Sequence, residues 1–580
     1  MSTSVGFLST ISPSACPLHE RHSGAAPSGR LIWPRVSCHG NGDARQPPPS
    51  SLLMDRRDVL IALGGLTGGA AAAGKMALAA PVMPPDLGKC HYAHSSVCEN
   101  LKCCPPYTSA TPLRVRRAAH LVINDHEYME KYREAVKKMK ELPDNHPWNF
   151  YQQARIHCAY CNDAYDQVDF PTVPVQVHYS WLFLPWHRYY LHFYERILGK
   201  LIDDDTFTLP FWNFDSDDGM TMPEIFTADT SSPLYNANRD TSHYTPAILD
   251  YKYSYGNTAG SGETGKALVL ANLCYMKKTF KQSLPLAELF MGDPLRAGEK
   301  ADSTNGFGQL ESIHNAIHMW VGTPECPHID MGDFSTAGKD SIFFSLHANV
   351  DRLWHIYRMF CGNKVEFTDT DWLDSTFIFY DENEKKKEKN VGIQVRDCLK
   401  PDKLRYTYEE VPIPWMNVNC RKTTETEEKT KTELSLVRVE PFGSDPRELS
   451  KTALRVMVPR PKKSRSKTEK EEKVEVLLIK GISVDTEGPA RFDVYISKPY
   501  GDLAGPDYGD FAGTFVRLPH KGMKGKERKG SLKLGITSLL EDLEAEDAEK
   551  LVVTLLPRMG EFTIGGVGIE LLQTDNPRLL

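Results

Sequence analysis

The 580-residue sequence predicts a mainly α-helical region, rich in histidine and aromatic residues, followed by a C-terminal β-sandwich. Three observations carry that division. Residues 113–142 are charged and periodic, and HEYMEKYREAVKKMKEL at 126–142 reads as a helix stopped by Pro143. Residues 148–360 hold most of the histidines, with a further helical pattern at 343–360. Beyond 434 the pattern alternates as strands do, in KVEVLLIKGI, RFDVYI, FAGTFVRL, LVVTLLP and FTIGGVGIELL. At 41% hydrophobic residues the chain can build a real core, which excludes a disordered or collagen-like protein. A net charge of -7 argues against a nucleic-acid partner held by a global basic field.

The first 80 residues read as targeting rather than fold. Residues 1–50 are rich in Ser, Pro, Gly and Arg, with Glu20 and Asp43 as their only acids, the profile of an organellar transit peptide. Arg56 and Arg57 then precede an apolar run at 59–74 that ends in small residues near Ala79 and Ala80. That run is shorter than the roughly 20 residues a bilayer needs, so no permanent membrane anchor is expected. A twin-arginine pair before such a run is an export signal, and two stacked addresses imply passage into a chloroplast and then its thylakoid lumen. A Sec-type signal that happens to hold two arginines is the alternative.

A helical region fills 81–420, with a Gly/Thr/Ser-rich loop near 255–266 and short strands and turns after Asp371. RKTTETEEKTKT at 421–432 and RPKKSRSKTEKEEK at 460–473 are nearly free of apolar residues. The first reads as an exposed linker over 421–433 and the second as an exposed loop, both open to proteases. The remainder, 434–580, is the β-sandwich. Cys90, Cys98, Cys103 and Cys104 crowd one short stretch and read as disulfide-forming, since an exported protein can keep such bonds. Cys274, Cys326, Cys361, Cys398 and Cys420 are scattered and read as free thiols.

The chemistry-bearing signal is histidine. His314 and His318, in HNAIH, stack on one face of a helix at i and i+4, and His347 lies on the next helical pattern. Asn315 stands where a zinc protease of the H-E-x-x-H type needs Glu, so that chemistry is disfavoured. Upstream, His157 in HCAYC, His178 in QVHYSW and His187 in FLPWHRYY form a second set of three. Imidazole suits zinc, copper, iron and nickel. Neither set carries an evident carboxylate ligand, so six neutral donors favour a centre cycling between Cu(I) and Cu(II).

The segments HCAYCN, LPWHRYYLHFYER, LPFWNFD, HNAIHMWVG and HANVDRLW resemble the type-3 dicopper site of plant polyphenol oxidases, the catechol oxidase and tyrosinase family. DWLDSTFIFYDEN and RFDVYI resemble its C-terminal signatures, and Tyr406-Thr-Tyr408 the motif that closes its catalytic domain. The resemblance implies a four-helix bundle around two copper ions per chain. It assigns His157, His178 and His187 to the first copper and His314, His318 and His347 to the second. It implies a thioether between Cys161 and His178, and disulfides Cys103–Cys158 and Cys90–Cys104, with Cys98 leaving the second pairing open. It places Phe334 as a gate above the second copper, and Glu311 with Asn315 as holders of a water that deprotonates phenols. Trp186, Phe183 and Phe211 are candidates to line or buttress the site.

The activity implied is oxidation of o-diphenols to o-quinones with reduction of O2 to water, with Asn315 favouring some monophenol hydroxylation. The implied partners are a small phenolic substrate, O2 and an activating protease that releases a shielding C-terminal domain. Departures exist. Glu311 stands three residues before His314 where relatives usually have four, Ser341 replaces a proline, and Leu346 replaces a histidine beside His347. These bear on substrate choice rather than on copper binding. The competing readings are a specialised phenol oxidase of one pathway, a dioxygen carrier with the same metal pair, and a protein with a structural metal.

Overall fold

Asp125 starts the first long helix, its carboxylate accepting the Tyr128 N–H at 3.1 Å. Helix α1 (His126–Glu141) buries Met129, Tyr132, Val136 and Met139, a 3-4-3 spacing that keeps one face inward, and Leu142 turns to extended backbone before Pro143. The computed structural model describes residues 112–575 apart from 162–164, 168–169, 256–259, 301–305, 326, 363–365, 381–389, 421–436, 485–487, 506–507 and 520–528. The targeting segment, Cys90, Cys98, Cys103, Cys104 and the 421–433 linker lie outside the described residues.

Five further helices build the core: α2 (Phe150–Cys161), α3 (Phe183–Leu201), α4 (Gly265–Ser283), α5 (Gln309–Val321) and α6 (Ile342–Phe360). Helices α3, α5 and α6 are buried almost end to end, as suits helices that are apolar on most faces. Trp181, Trp186, Trp212, Trp320, Trp354 and Trp372 are all fully buried around them. No helix among the described residues is long and apolar enough to cross a membrane.

Strand β1 (Arg114–Arg116) begins the described chain, a hairpin of β2 (Thr376–Tyr380) and β3 (Asn390–Gln394) follows α6, and β4 (Tyr406–Tyr408) returns to pair in parallel with β1. A buried charge network locks this closure to the bundle. Arg116 donates to Glu195 at 2.8 Å and to Asp351 at 3.3 Å, while Arg188, Tyr406 and Tyr408 also donate to Asp351. Burial alone would raise the Asp351 carboxyl, but Arg188 and Arg116 hold it below its usual range. Its sequence neighbour Arg352 pairs elsewhere, with Asp215 at 3.0 Å, and Asp351 anchors α6 one turn beyond His347.

The C-terminal strands are β5 (Arg447–Leu449), β6 (Leu454–Pro459), β7 (Lys473–Val484), β8 (Ala490–Ser497), β9 (Asp510–Arg517), β10 (Lys529–Gly535), β11 (Lys550–Met559), β12 (Phe562–Ile564) and β13 (Gly566–Gln573). One sheet runs β10-β7-β12-β5 with β13 also on β7, and the other runs β9-β8-β11-β6. Phe492, Leu477, Ile479, Phe515 and Phe562 fill the core between them. The architecture is therefore the expected one, a helical core followed by a β domain.

Two expectations are corrected. Cys274 on α4 and Cys420, 146 residues apart, form a disulfide with a Cα–Cα distance of 5.5 Å, although as scattered cysteines they had been read as free thiols. The charged stretch at 460–473 is not simply loop. It holds helix α7 (Lys467–Glu472), capped reciprocally by Ser466 and Glu469, and Arg460 forms a buried pair with Glu475 at 2.9 Å.

Candidate metal centre

The bundle gathers all six predicted histidines. His157 comes from α2, His178 from the connection before α3, His187 from α3, His314 and His318 from α5, and His347 from α6. They form two buried triads, His157–His178–His187 and His314–His318–His347, each with its ligand atoms within 4.8 Å of one another. The triads adjoin. The His187 and His347 rings stack at 4.2 Å, and the Phe183 ring lies 4.6 Å from His187 and 5.0 Å from His314.

Neighbours orient the rings. His187 Nδ1 faces the Phe183 carbonyl at 2.7 Å and His318 Nδ1 the Met331 carbonyl at 2.8 Å. A carbonyl only accepts, so each Nδ1 carries the proton and each Nε2 keeps its lone pair. Those two Nε2 atoms are buried without a hydrogen-bond partner. His314 and His347 bring their Nε2 atoms within 3.0 Å of each other, and Asn315 Oδ1 takes His314 Nδ1 at 3.0 Å. Burial drives the imidazoles neutral, taking His187 down to about 3 and His318 to about 4, with His314 and His347 also well below their usual value. Four rings held neutral by burial, the free Nε2 atoms of His187 and His318, and the lack of a carboxylate in either triad fit a pair of imidazole-preferring metal ions. Trp186 buttresses His187 at 4.7 Å, whereas Phe211 packs on Tyr408 and makes no described ring contact with a histidine.

The other predicted residues surround the triads. Glu311 and Asn315 sit four apart on one face of α5, both fully buried. Burial pushes the Glu311 carboxyl up to about 8, opposed by the Tyr179 N–H that donates to both its oxygens at 3.0 and 3.2 Å. The Phe334 ring is 4.4 Å from His178 and 6.2 Å from His318, so it lies nearer the first triad than the second, above which it had been expected. Cys161 ends α2 with its sulphur 4.0 Å from His157 Nδ1. Cys158 precedes it on the same helix, and its expected partner Cys103 lies outside the described residues.

Three residues that sequence reasoning missed complete the surround. Gln176 donates to the Cys161 carbonyl at 2.8 Å and accepts from the His178 N–H at 3.0 Å, tying the thioether candidates together. Tyr179 holds Glu311. Val516 belongs to β9, the edge strand of its sheet, and its carbonyl accepts from Asn315 Nδ2 at 3.0 Å, while Ser312 donates to the Thr514 carbonyl at 2.9 Å. Val516 and Leu518 are fully buried and pack in one cluster with Phe334, Met319 and Cys161. The β domain thus lays its edge strand across the helix that carries two of the histidines.

Three family models match successive parts of the chain: the common central domain of tyrosinase over 147–359, the polyphenol oxidase middle domain over 366–421, and the chloroplastic polyphenol oxidase C-terminal domain over 445–571. A chloroplastic polyphenol oxidase of Vitis vinifera is 43% identical over 98% of both chains. The chain belongs to the polyphenol oxidase family. It is an oxidoreductase with the tyrosinase fold. It is also similar to the chloroplastic (+)-larreatricin hydroxylase of Larrea tridentata, at 40% identity over 97% of both chains. The structure of latent apple tyrosinase superposes with a TM-score of 0.71 at 42% identity, over 81% of this chain and all of that one.

Proposed function

We propose that this polyphenol oxidase is a latent, copper-dependent o-diphenol oxidase. The observation that carries the reading is the pair of adjoining, buried, all-histidine triads. Two copper ions held there would supply the two-electron exchange by which two diphenols and one O2 give two o-quinones and two waters. His157, His178 and His187 hold one ion and His314, His318 and His347 the other. The thioether from Cys161 to His178, next to the Gln176 clamp, fixes one ring. Buried aromatics around Phe183 and Phe334 keep the site dry. Glu311 and Asn315, on one face of α5, hold the water that takes a phenolic proton, and Phe334 guards the approach.

Latency follows from β9. With Val516 and Leu518 packed on Phe334 and with Asn315 bonded to the Val516 carbonyl, no phenol reaches the triads. We assign 81–420 to the catalytic domain, 421–433 to the linker where a protease releases it, and 434–580 to the shielding domain. Residues 1–80 direct the protein to the chloroplast and its thylakoid lumen, and Cys90–Cys104 and Cys103–Cys158 staple the segment that follows. A second reading, a phenol hydroxylase serving one pathway, is favoured by the 40% identity to (+)-larreatricin hydroxylase. O2 uptake by copper-loaded protein cut in the linker separates the two. Uptake with simple catechols supports the general diphenol oxidase. Uptake only with a particular monophenol supports the second reading, and none with any phenol refutes both.

A further inference from the structure

We propose that Tyr179 is a specificity-determining residue, one that sets how large a phenol fits beside the first triad. The proposal rests on the oxidase reading above and concerns which substrates that site takes. Tyr179 follows the ligand candidate His178 directly and has a φ of 63°. That left-handed region is rare for a bulky side chain, and glycine or asparagine enters it with less strain. The conformation therefore needs no aromatic residue, and the ring calls for its own explanation.

The backbone and the ring do separate things. The N–H reaches both oxygens of Glu311, a contact that any residue but proline supplies at this φ. The ring meets Phe334 edge-on at 6.0 Å and 83°, and Phe334 in turn lies 4.4 Å from the His178 ring. Tyr179 and Phe334 together make a two-ring wall flanking the first triad. On its other side Tyr179 touches Phe307 at 5.9 Å, and Phe307 packs at 5.2 Å on Phe515 of β9. Tyr179 is only partly buried, and it packs against both the core of the β domain and the cluster that holds Val516 and Leu518. It stands where the helical core meets the strand that covers the site, so withdrawing β9 uncovers this wall at the mouth. Loss of the ring widens the mouth while the Glu311 contact persists.

The test uses the full chain, loaded with copper and cut within 421–433, both pieces kept in one solution under conditions in which the β domain is free to leave the site. Benzoate and biphenyl-4-carboxylate are titrated calorimetrically, since neither is oxidised as a diphenol. Relative to the unsubstituted chain, Tyr179→Gly shifts the ratio of the two dissociation constants toward the larger probe by about tenfold or more, while Tyr179→Phe keeps it within about twofold. Tyr179→Asn, which also tolerates the backbone angle, follows Tyr179→Gly. An unchanged ratio in both Gly and Asn variants overturns the proposal. So does an equal shift in Tyr179→Phe, which would trace the effect to the hydroxyl rather than the ring. If the shift appears in a chain that consumes no O2 with any phenol, the oxidase reading falls and the wall assignment stands.

Discussion

Glu311 offers a perturbation whose sign and size both follow from its surroundings. The carboxyl is fully buried, and burial raises it from an ordinary 4.5 to about 8 against the pull of the Tyr179 N–H. Its folded-state value thus lies above its unfolded one. The folded protein keeps a proton that the unfolded chain releases, so the contribution to stability is intact below pH 4.5 and is lost as pH rises toward 8. A displacement of about 3.5 units corresponds to on the order of 5 kcal/mol once the loss is complete. Glu311→Gln removes the titration yet keeps an oxygen for the Tyr179 N–H. In the metal-free chain, urea unfolding is compared for the two proteins from about pH 5 to about pH 8.5. Gln should change little at the acid end and be the more stable protein by several kcal/mol at the alkaline end. A difference that stays flat with pH would refute the reasoning, because it would mean that Glu311 ionises as freely in the fold as outside it.

Leu518 is fully buried against Phe334 and Met319, so Leu518→Ala should weaken the cover by about 2–3 kcal/mol and raise the diphenol activity of the uncut chain at least tenfold, leaving the cut enzyme unchanged. Equal effects before and after cutting would place Leu518 outside the cover. The Cys274–Cys420 bond closes a loop of 146 residues, for which chain entropy gives about 5 kcal/mol as an upper figure. Cys274→Ser should therefore lower the melting temperature of the helical region, and an unreduced digest of the natural chain should contain the linked 274 and 420 peptides.

The division of the molecule was legible because its periodicities differ. The 3-4-3 spacing at 129–139 and the alternation in β7, β8 and β11 needed no tertiary information. The six histidines were legible for a similar reason, since His314 and His318 lie four apart on one face of α5 and the others sit in or beside aromatic-rich motifs of the same family. What sequence hid depends on contacts across hundreds of residues. Val516 reaches Asn315 from 201 positions away, and Asp351 finds Arg188 rather than its neighbour Arg352. The Cys274–Cys420 pairing cannot be deduced from spacing, because several partners are always possible. Tyr179 gave no signal at all, as a left-handed aromatic residue is a property of the backbone. Helix α7 is a different case. Ser466 and Glu469 stood in the sequence as an S-x-x-E capping box, but the charge-rich composition around them outweighed it.

The central claim is that the two histidine triads hold two copper ions which together oxidise diphenols. Copper content and catechol-dependent O2 uptake, measured on the same preparations of the linker-cut natural chain and of His347→Ala, test it most directly. The natural chain should bind two coppers and consume O2, and the variant should keep the first copper, lose most of the second and consume no O2. A variant that retains both coppers and full uptake would contradict the ligand assignment, and a natural chain that binds two coppers without consuming O2 with any phenol would contradict the function.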